Sequence, residues 1–166
     1  MNATDPEAPF RQTGWPGLRA RLFHTFFLVR RPVTLGVRAV IHDRARNAVF
    51  LIRHTYVPGW HLPGGGVEIG ETAEAALERE VREECAVALT APAALRSVHF
   101  NRQASRRDHV LLYLANEFSV IAEKRSDREI AEAGFFALDR LPDTATPATL
   151  RRLAELFDGA KPSRYW

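Results

Sequence analysis

Apolar and polar positions alternate along several short stretches of the chain, which is the pattern of β-strands with one buried face. In VTLGVRAVIHD (33–43), every second residue from Val33 to Ile41 is aliphatic. Further strands are predicted at AVFLIRHTY (48–56), ALRSVHF (94–100), DHVLLYLANEF (108–118) and GFFAL (134–138). Because few helices separate these strands, we expect a mixed or antiparallel sheet.

Helical spacing of apolar residues marks three other stretches, at 17–31, 72–85 and 146–157. Thr72 is a candidate N-cap for the second, and Thr146-Pro147 occupies the N-cap and first-turn places of the third. Residues 1–16 contain three prolines and predict an irregular arm. Helices flanking a sheet predict an α+β fold, an α/β/α sandwich, in which residues 17–166 form a single domain.

The helix predicted at 17–31, GLRARLFHTFFLVRR, has an aromatic face flanked by arginines. A basic amphipathic helix of this kind can lie on a membrane or bind a partner protein. More often such a helix packs its aromatic face on its own domain, and we favour that interpretation. A membrane partner is therefore not expected.

Composition narrows the class of protein. A chain of 166 residues with 46% apolar and 26% charged residues is typical of one globular domain. A formal charge of +3 mildly favours an anionic substrate but is too small to indicate DNA binding. The single cysteine, Cys85, excludes an internal disulfide framework, and no secretory signal is recognisable at the N-terminus. We therefore expect a cytoplasmic protein.

Three carboxylates crowd one face of the helix predicted at 72–85. Glu80, Glu83 and Glu84 fall within an arc of roughly 100°, beside an apolar stripe that begins at Ala73 and ends at Cys85. Like charges this close destabilise an isolated helix by roughly 0.2–0.5 kcal/mol per pair. Converging carboxylate oxygens are, however, what a hard divalent cation such as Mg2+ requires.

A glycine-rich loop, LPGGGVEIGE, precedes this helix. Gly64, Gly65 and Gly66 allow the backbone to approach a ligand closely and to expose carbonyl oxygens. The loop lacks the GK[ST] ending of a P-loop and does not match GxGxxG, so neither nucleotide motif applies.

The spacing of loop and helix together is far more specific than either part. Gly65, five residues, Glu71, seven residues and then REVREECAV (79–87) resembles the Nudix box, GX5EX7REUXEEXGU, where U is aliphatic. Every fixed position matches except the last glycine, which is Ala86 here. The order of strands over residues 33–142 is also similar to that of a Nudix domain.

This resemblance implies a set of metal ligands. Glu83 and Glu84 would be the principal ligands of Mg2+, or of Mn2+ in its place. Glu80 would be a further ligand or the base that activates water, and the carbonyl of Gly64 or of its neighbour would complete the shell. Glu129, in the loop before GFFAL, either supplies one more acid or only solvates that loop.

Other box residues would surround the ligands. The resemblance implies that Glu71 and Gly65 support the site, while Arg79 belongs to the catalytic set and holds the carboxylates in place. The reaction implied is hydrolysis of a nucleoside diphosphate linked to another moiety, a small-molecule diphosphate substrate.

The substrate itself is not readable from the chain. Candidate contacts are Arg53 and Tyr56 near the glycine loop, and Arg102 and Arg106 in a basic loop that is more often simply solvated. The downstream proline or tyrosine by which some members of the family are distinguished is absent from HFNRQAS (99–105). A homodimer is left open.

Alternative classes make different demands on the sequence. A non-catalytic Nudix-like nucleotide-binding module typically loses box glutamates, but all are retained here. An isomerase on the same fold would need a catalytic cysteine away from the box helix, and Cys85 lies inside it. A membrane or protein-interaction domain would depend on residues 17–31.

Overall fold

The computed structural model describes residues 32–166, so the arm predicted at 1–16 and the helix predicted at 17–31 lie outside the described residues. Two helices and seven strands follow: β1 Thr34–Asp43, β2 Ala48–His54, α1 Ala73–Cys85, β3 Val87–Leu89, β4 Ala94–Phe100, β5 Asp108–Ala115, β6 Phe118–Val120, β7 Ile130–Ala137 and α2 Pro147–Phe157. None of the helices in the described part of the chain is long and apolar enough to cross a membrane.

Five strands form one mixed sheet in the order β4-β5-β1-β2-β7. The central strand β1 runs parallel to β5 and antiparallel to β2, and the outer pairs β4–β5 and β2–β7 are antiparallel. A separate antiparallel pair is formed by β3 and β6. The mixed sheet agrees with the predicted α+β class.

The sheet is covered on both faces because alternate residues of its central strands enter different cores. Val37, Ala39 and Ile41 of β1 pack in one cluster with Leu77 and other residues of α1. Val40 instead belongs to a second cluster, which contains Leu153 of α2. One helix therefore packs on each face, and the α/β/α sandwich is confirmed.

Both helices begin at the predicted caps. The hydroxyl of Thr72 accepts a hydrogen bond from the Ala75 N–H at 3.1 Å, and that of Thr146 accepts from the Thr149 N–H at 3.2 Å. Each cap satisfies a backbone donor that has no partner inside the helix. The start of α1 matters for function because it fixes which residues face the glycine loop.

Several strand boundaries differ from the prediction. The second predicted strand ends at His54, where its pairing with β7 is irregular. The stretch 108–118 divides into β5 and the start of β6, and β7 begins at Ile130, four residues before the strand predicted at 134–138. Three-residue strands such as β3 and β6 are too short for a period of two to be recognised.

Candidate active site

One cavity collects the acidic residues that the sequence singled out. Its volume is about 300 Å³, and it is lined by Glu80, Glu83, Glu84, Asp127, Arg128, Glu129 and Ile130. The first three project from α1, and the others come from the loop that leads into β7. We call this space the glutamate cavity. Its position explains how residues 43 or more positions apart in sequence contribute to one site.

Glu84 is the most buried of these carboxylates, with 7% of its surface exposed. Its Oε2 accepts a hydrogen bond from the Gly64 N–H at 2.6 Å. Burial raises the pKa of Glu84 to about 7, and the charges of Glu80 and Glu129 act in the same direction. The charge of this group is therefore costly unless a cation is nearby.

The glycine loop touches the glutamates so closely that side chains would not fit. A Cβ on Gly64, whose φ is 135°, would lie 2.1 Å from the Val37 carbonyl oxygen. A Cβ on Gly65 would lie 2.2 Å from Glu80 Oε1. Gly64 is thus required by the approach of the loop to the β1 backbone, whereas a side chain at Gly65 would force the Glu80 carboxylate to move.

The backbone carbonyl groups of the glycine loop accept hydrogen bonds from different partners. The Gly65 carbonyl accepts from the Val37 N–H at 2.9 Å, and the Gly66 carbonyl accepts from Arg79 at 3.2 Å. Gly64 binds Glu84 through its N–H. The loop therefore already orients one of the predicted ligands through a backbone donor.

Arg79 ties three carboxylates together. Its guanidinium donates to Glu80 Oε1 at 2.7 Å and to Glu71 Oε1 at 2.9 Å, and it lies 3.6 Å from Glu83 Oε2. These bonds raise the pKa of Arg79 and lower the pKa of Glu71. Arg79 thus fixes Glu80 at the end of the cavity and anchors the loop residue Glu71 to α1.

The loop before β7 is fastened to α1 by residues that the sequence analysis missed. Lys124 donates to the backbone carbonyl of Glu83 at 2.7 Å and pairs with Asp127 at 2.5 Å. The Asp127 carboxylate accepts from the N–H groups of Glu129 and Ile130, and the Lys124 bond together with these lowers its pKa to about 2. An aspartate two residues before a predicted site residue is a recognisable turn signal.

The carboxylate oxygens of the glutamate cavity are suitable ligands for a hard cation. In this structure, however, Glu80 and Glu84 accept hydrogen bonds from protein groups. Within residues 32–166, no three His, Cys, Asp or Glu side chains meet closely enough to hold a metal ion as they stand. Glu80 is bonded to Arg79, and Glu84 to Gly64. The chemistry of the set nevertheless fits Mg2+, since four glutamates share one cavity and Glu84 is buried beside like charges.

Arg53 and Tyr56 line a second cavity of about 630 Å³. Arg53 is paired there with Glu132 at 2.5 Å, and Tyr56 is largely exposed. His54, which is not among the candidate residues named from the sequence, lines the same cavity, and its Nε2 lies 4.0 Å from Glu84 Oε1. The second cavity therefore adjoins the glutamates through His54.

The basic loop between β4 and β5 lies elsewhere. Arg102 stacks over the ring of Tyr165 at 4.5 Å from its centroid, and Arg106 is exposed. Neither arginine is among the described residues that line the glutamate cavity or the cavity at Arg53. Of this loop, Gln103 lines a third cavity of about 350 Å³.

Arg38 is a further residue that sequence reasoning missed. It lies on β1, donates to the Leu62 carbonyl at 3.0 Å and is close enough to Glu84 and Glu80 for their charges to act on it. The sequence does contain a sign of this role, because Arg38 stands between Val37 and Ala39 in an otherwise apolar strand. We had taken it as the polar side of an alternating pattern, but this strand is covered on both faces.

Comparisons with known proteins show which family the chain resembles. A family model described as NUDIX domain matches residues 32–157. The crystal structure of a MutT NUDIX hydrolase from Burkholderia pseudomallei is 33% identical, with a TM-score of 0.62, and the match covers 74% of this chain and 97% of that one.

Two curated relatives show similar levels of identity. The ADP-ribose pyrophosphatase of Methanocaldococcus jannaschii is 32% identical over 102 residues, which cover 60% of this chain and 60% of that protein. The 8-oxo-dGDP phosphatase NUDT18 of Mus musculus is 36% identical over 102 residues, or 61% of this chain and 30% of that protein. The chain spans between 30% and 60% of the length of the curated relatives it matches.

Proposed function

Because the chain belongs to the NUDIX family, we propose that it is a metal-dependent hydrolase that cleaves the diphosphate linkage of a nucleoside diphosphate joined to another moiety. The observation that carries this proposal is the glutamate cavity, where Glu80, Glu83, Glu84 and Glu129 meet beside the glycine loop. A small-molecule diphosphate fits the chain's slightly basic balance.

Glu83 and Glu84 are the principal residues that would hold Mg2+ or Mn2+, with Glu129 and the backbone around Gly64 as additional oxygen donors. When bound, the cation neutralises the diphosphate oxygens and lowers the pKa of a bound water. Arg79 supports this arrangement because its hydrogen bonds hold the Glu80 carboxylate in place while they anchor Glu71.

Glu80 then has one of two tasks, that of a further oxygen ligand or that of the base. As base, its carboxylate takes the proton of the attacking water. The water oxygen forms a new bond to one phosphorus, the bridging P–O bond breaks opposite to it, and two phosphate-bearing products leave. His54 lies 4.0 Å from Glu84 and the charge of Glu84 acts on Arg38, so both residues are near the proposed position of the diphosphate.

The proposal is tested by measuring turnover of a panel of nucleoside diphosphate derivatives, including dinucleotides, nucleotide sugars and nucleoside triphosphates. We expect at least one compound to be hydrolysed with Mg2+, to be spared in EDTA, and to be hydrolysed again when Mg2+ or Mn2+ is restored. Binding without hydrolysis across the panel would instead identify a nucleotide-binding module, and hydrolysis that persists in EDTA would contradict the metal dependence.

A further inference from the structure

The third cavity lies on the face of the sheet that α2 covers. Its polar and aromatic lining comes from Arg38, His61, Gln103, Thr149, Arg151 and Trp166, and its volume is about 350 Å³. We call it the Arg38 cavity. Of the described residues that line it, Arg38 also lies near the proposed reaction centre.

The arginines are the charged side chains in the lining of the Arg38 cavity, as far as the described residues show. Two arginines contribute to it, and none of the described residues that line it is an aspartate or glutamate. The first turn of α2 also borders the cavity, and the N-terminal end of a helix is electrically positive. The glutamate cavity has the opposite charge, since five of its seven lining residues, Glu84 included, are glutamates or aspartates.

Arg38 has donors to spare for a ligand. A guanidinium carries five N–H donors, and the Leu62 carbonyl accepts from Nη1. Within residues 32–166, no carboxylate forms an ion pair with Arg38. Burial lowers the pKa of Arg38, which an anion placed beside it would offset.

Arg151 reaches the same cavity from the exposed face of α2. It donates to the Trp166 backbone oxygen at 2.9 Å, which holds the arginine at the rim. Arg38 and Arg151 therefore approach the cavity from two different elements, a strand and a helix. Such a pair is suited to a phosphate, which arginine binds with two parallel hydrogen bonds.

The Arg38 cavity is a neighbour of the proposed reaction centre. Arg38 lines this cavity, and the charges of Glu84 and Glu80 act on it. Val57 and Pro58 line both this cavity and the one that contains His54. A substrate seated at the glutamates can therefore extend past this loop.

We propose that the Arg38 cavity binds a phosphate, or an equally charged anionic group, that the substrate carries outside the diphosphate to be cleaved. This inference rests on the proposed function and narrows it to a class of substrate, nucleoside diphosphate derivatives with one additional anionic group. Arg38 and Arg151 would recognise that group, while the glutamates act on the diphosphate.

The site is tested first without metal or turnover, by calorimetric titration of inorganic phosphate into the full chain in EDTA. We expect saturable binding that weakens at least tenfold in Arg38→Met and in Arg151→Gln, and that is unchanged in the exposed control Arg140→Gln. Arg151 is exposed, so its variant tests the site even where loss of Arg38 disturbs folding. No saturable binding to the wild type, or equal binding by all variants, would overturn the inference.

A second measurement separates a substrate phosphate from a free regulatory phosphate. With Mg2+ present, kcat/KM is compared for pairs that differ by one phosphate, such as coenzyme A and dephospho-coenzyme A, or NADP and NAD. The inference predicts a preference for the phosphorylated member that is lost in Arg151→Gln, and competitive inhibition by inorganic phosphate. No preference, or non-competitive inhibition, refutes the substrate assignment. Absence of any hydrolysis refutes the proposed function, and the titration in EDTA still decides the anion site.

Discussion

Ala86 ends α1 in the left-handed region, with φ 53° and ψ 41°. The corresponding place in the Nudix box is a glycine, and the geometry shows why. A Cβ in this conformation crowds the following carbonyl oxygen at a cost of roughly 1–2 kcal/mol, which glycine avoids. The chain keeps the turn despite this cost, because the Ala86 N–H bonds to the Arg82 carbonyl and its own carbonyl accepts from Ile121.

Replacing Ala86 by glycine should therefore stabilise the protein by about 1 kcal/mol. For a chain of this size we expect the melting temperature to rise by about 2–4 °C, measured by calorimetry. The matched control is Ala75→Gly in the exposed part of α1, where glycine should instead destabilise. Equal effects of the two substitutions would show that the left-handed backbone carries no strain.

At the same scale, the sequence predicted the identity of the acidic residues better than their surroundings. The acidic face of α1 was expected to be separate from its packing face, yet Glu84 is buried among the core residues of that helix. The Glu84 carboxylate accepts from the Gly64 N–H and interacts with the charge of Arg38, residues 20 and 46 positions away. Helical periodicity contains no information about such contacts.

Among elements, the loop and α1 behave as one unit that Arg79 joins. Since Arg79 bonds to Glu71, Glu80 and the Gly66 carbonyl, its planar group sets the distance between loop and helix. Lysine carries one ammonium group and cannot make these contacts together. The charge alone is therefore not sufficient for the arrangement.

We expect Arg79→Lys to lower the hydrolysis rate by about 10–100-fold, the usual cost of losing a group that orients metal ligands. The melting temperature should change little, because Arg79 is only partly buried. Arg82→Lys, an exposed position on the same helix, is the control. A rate unchanged by Arg79→Lys would mean that Glu80 is placed without its help.

Helices and strands with several regularly spaced apolar residues were predicted well. Short strands that depend on pairing with a distant segment were not. Both described helices and β1, β2, β4 and β5 follow their expected positions closely, because their burial shows in the spacing of apolar residues. The β3–β6 pair joins segments about 30 positions apart, and β7 starts in a polar run because Ile130 alone of its first residues is fully buried. Long-range pairing of this kind leaves little local signal.

Across residues 34–166, one buried polar cluster connects the sheet, α2 and the segment that follows it. His99 of β4 and Arg152 of α2 have no exposed surface. The His99 ring bonds to Ser97 at 2.7 Å and to the Ser163 carbonyl at 2.9 Å, and Arg152 pairs with Glu155. Burial, followed by the charge of Arg152, lowers the pKa of His99, and the Ser163 hydrogen bond and the charge of Glu155 oppose this only in part.

This cluster predicts how stability depends on pH. The pKa of His99 is below its unfolded value of about 6.5, so the unfolded chain binds more protons as the pH falls through that value. The contribution of His99 is thus present above about pH 6.5 and is lost on acidification. Urea midpoints at pH 7.5 and 5.5 should differ more for the wild type than for His99→Gln. Equal differences would show that His99 does not titrate in this window.

At the scale of the fold, the box allowed the α/β/α architecture and the acidic site to be predicted together. The cavities could not be predicted, since each is assembled from segments that only the sheet order brings close. Arg53 and Tyr56 border a cavity beside the glutamates, whereas Arg102 and Arg106 lie apart from it. The charge of a loop does not predict where the loop lies in the fold or which of its side chains line a cavity.

We propose that the glutamates of α1 act through a cation on a diphosphate, and the sharpest experiment is the substitution Glu83→Gln. The side chain of Glu83 is 63% exposed, so this isosteric change should leave folding intact. On the substrate identified from the panel, with saturating Mg2+, the account predicts a loss of at least about 100-fold in kcat. Glu78→Gln, on the exposed face of the same helix, should retain full activity. A Glu83→Gln enzyme as fast as the wild type would contradict the account.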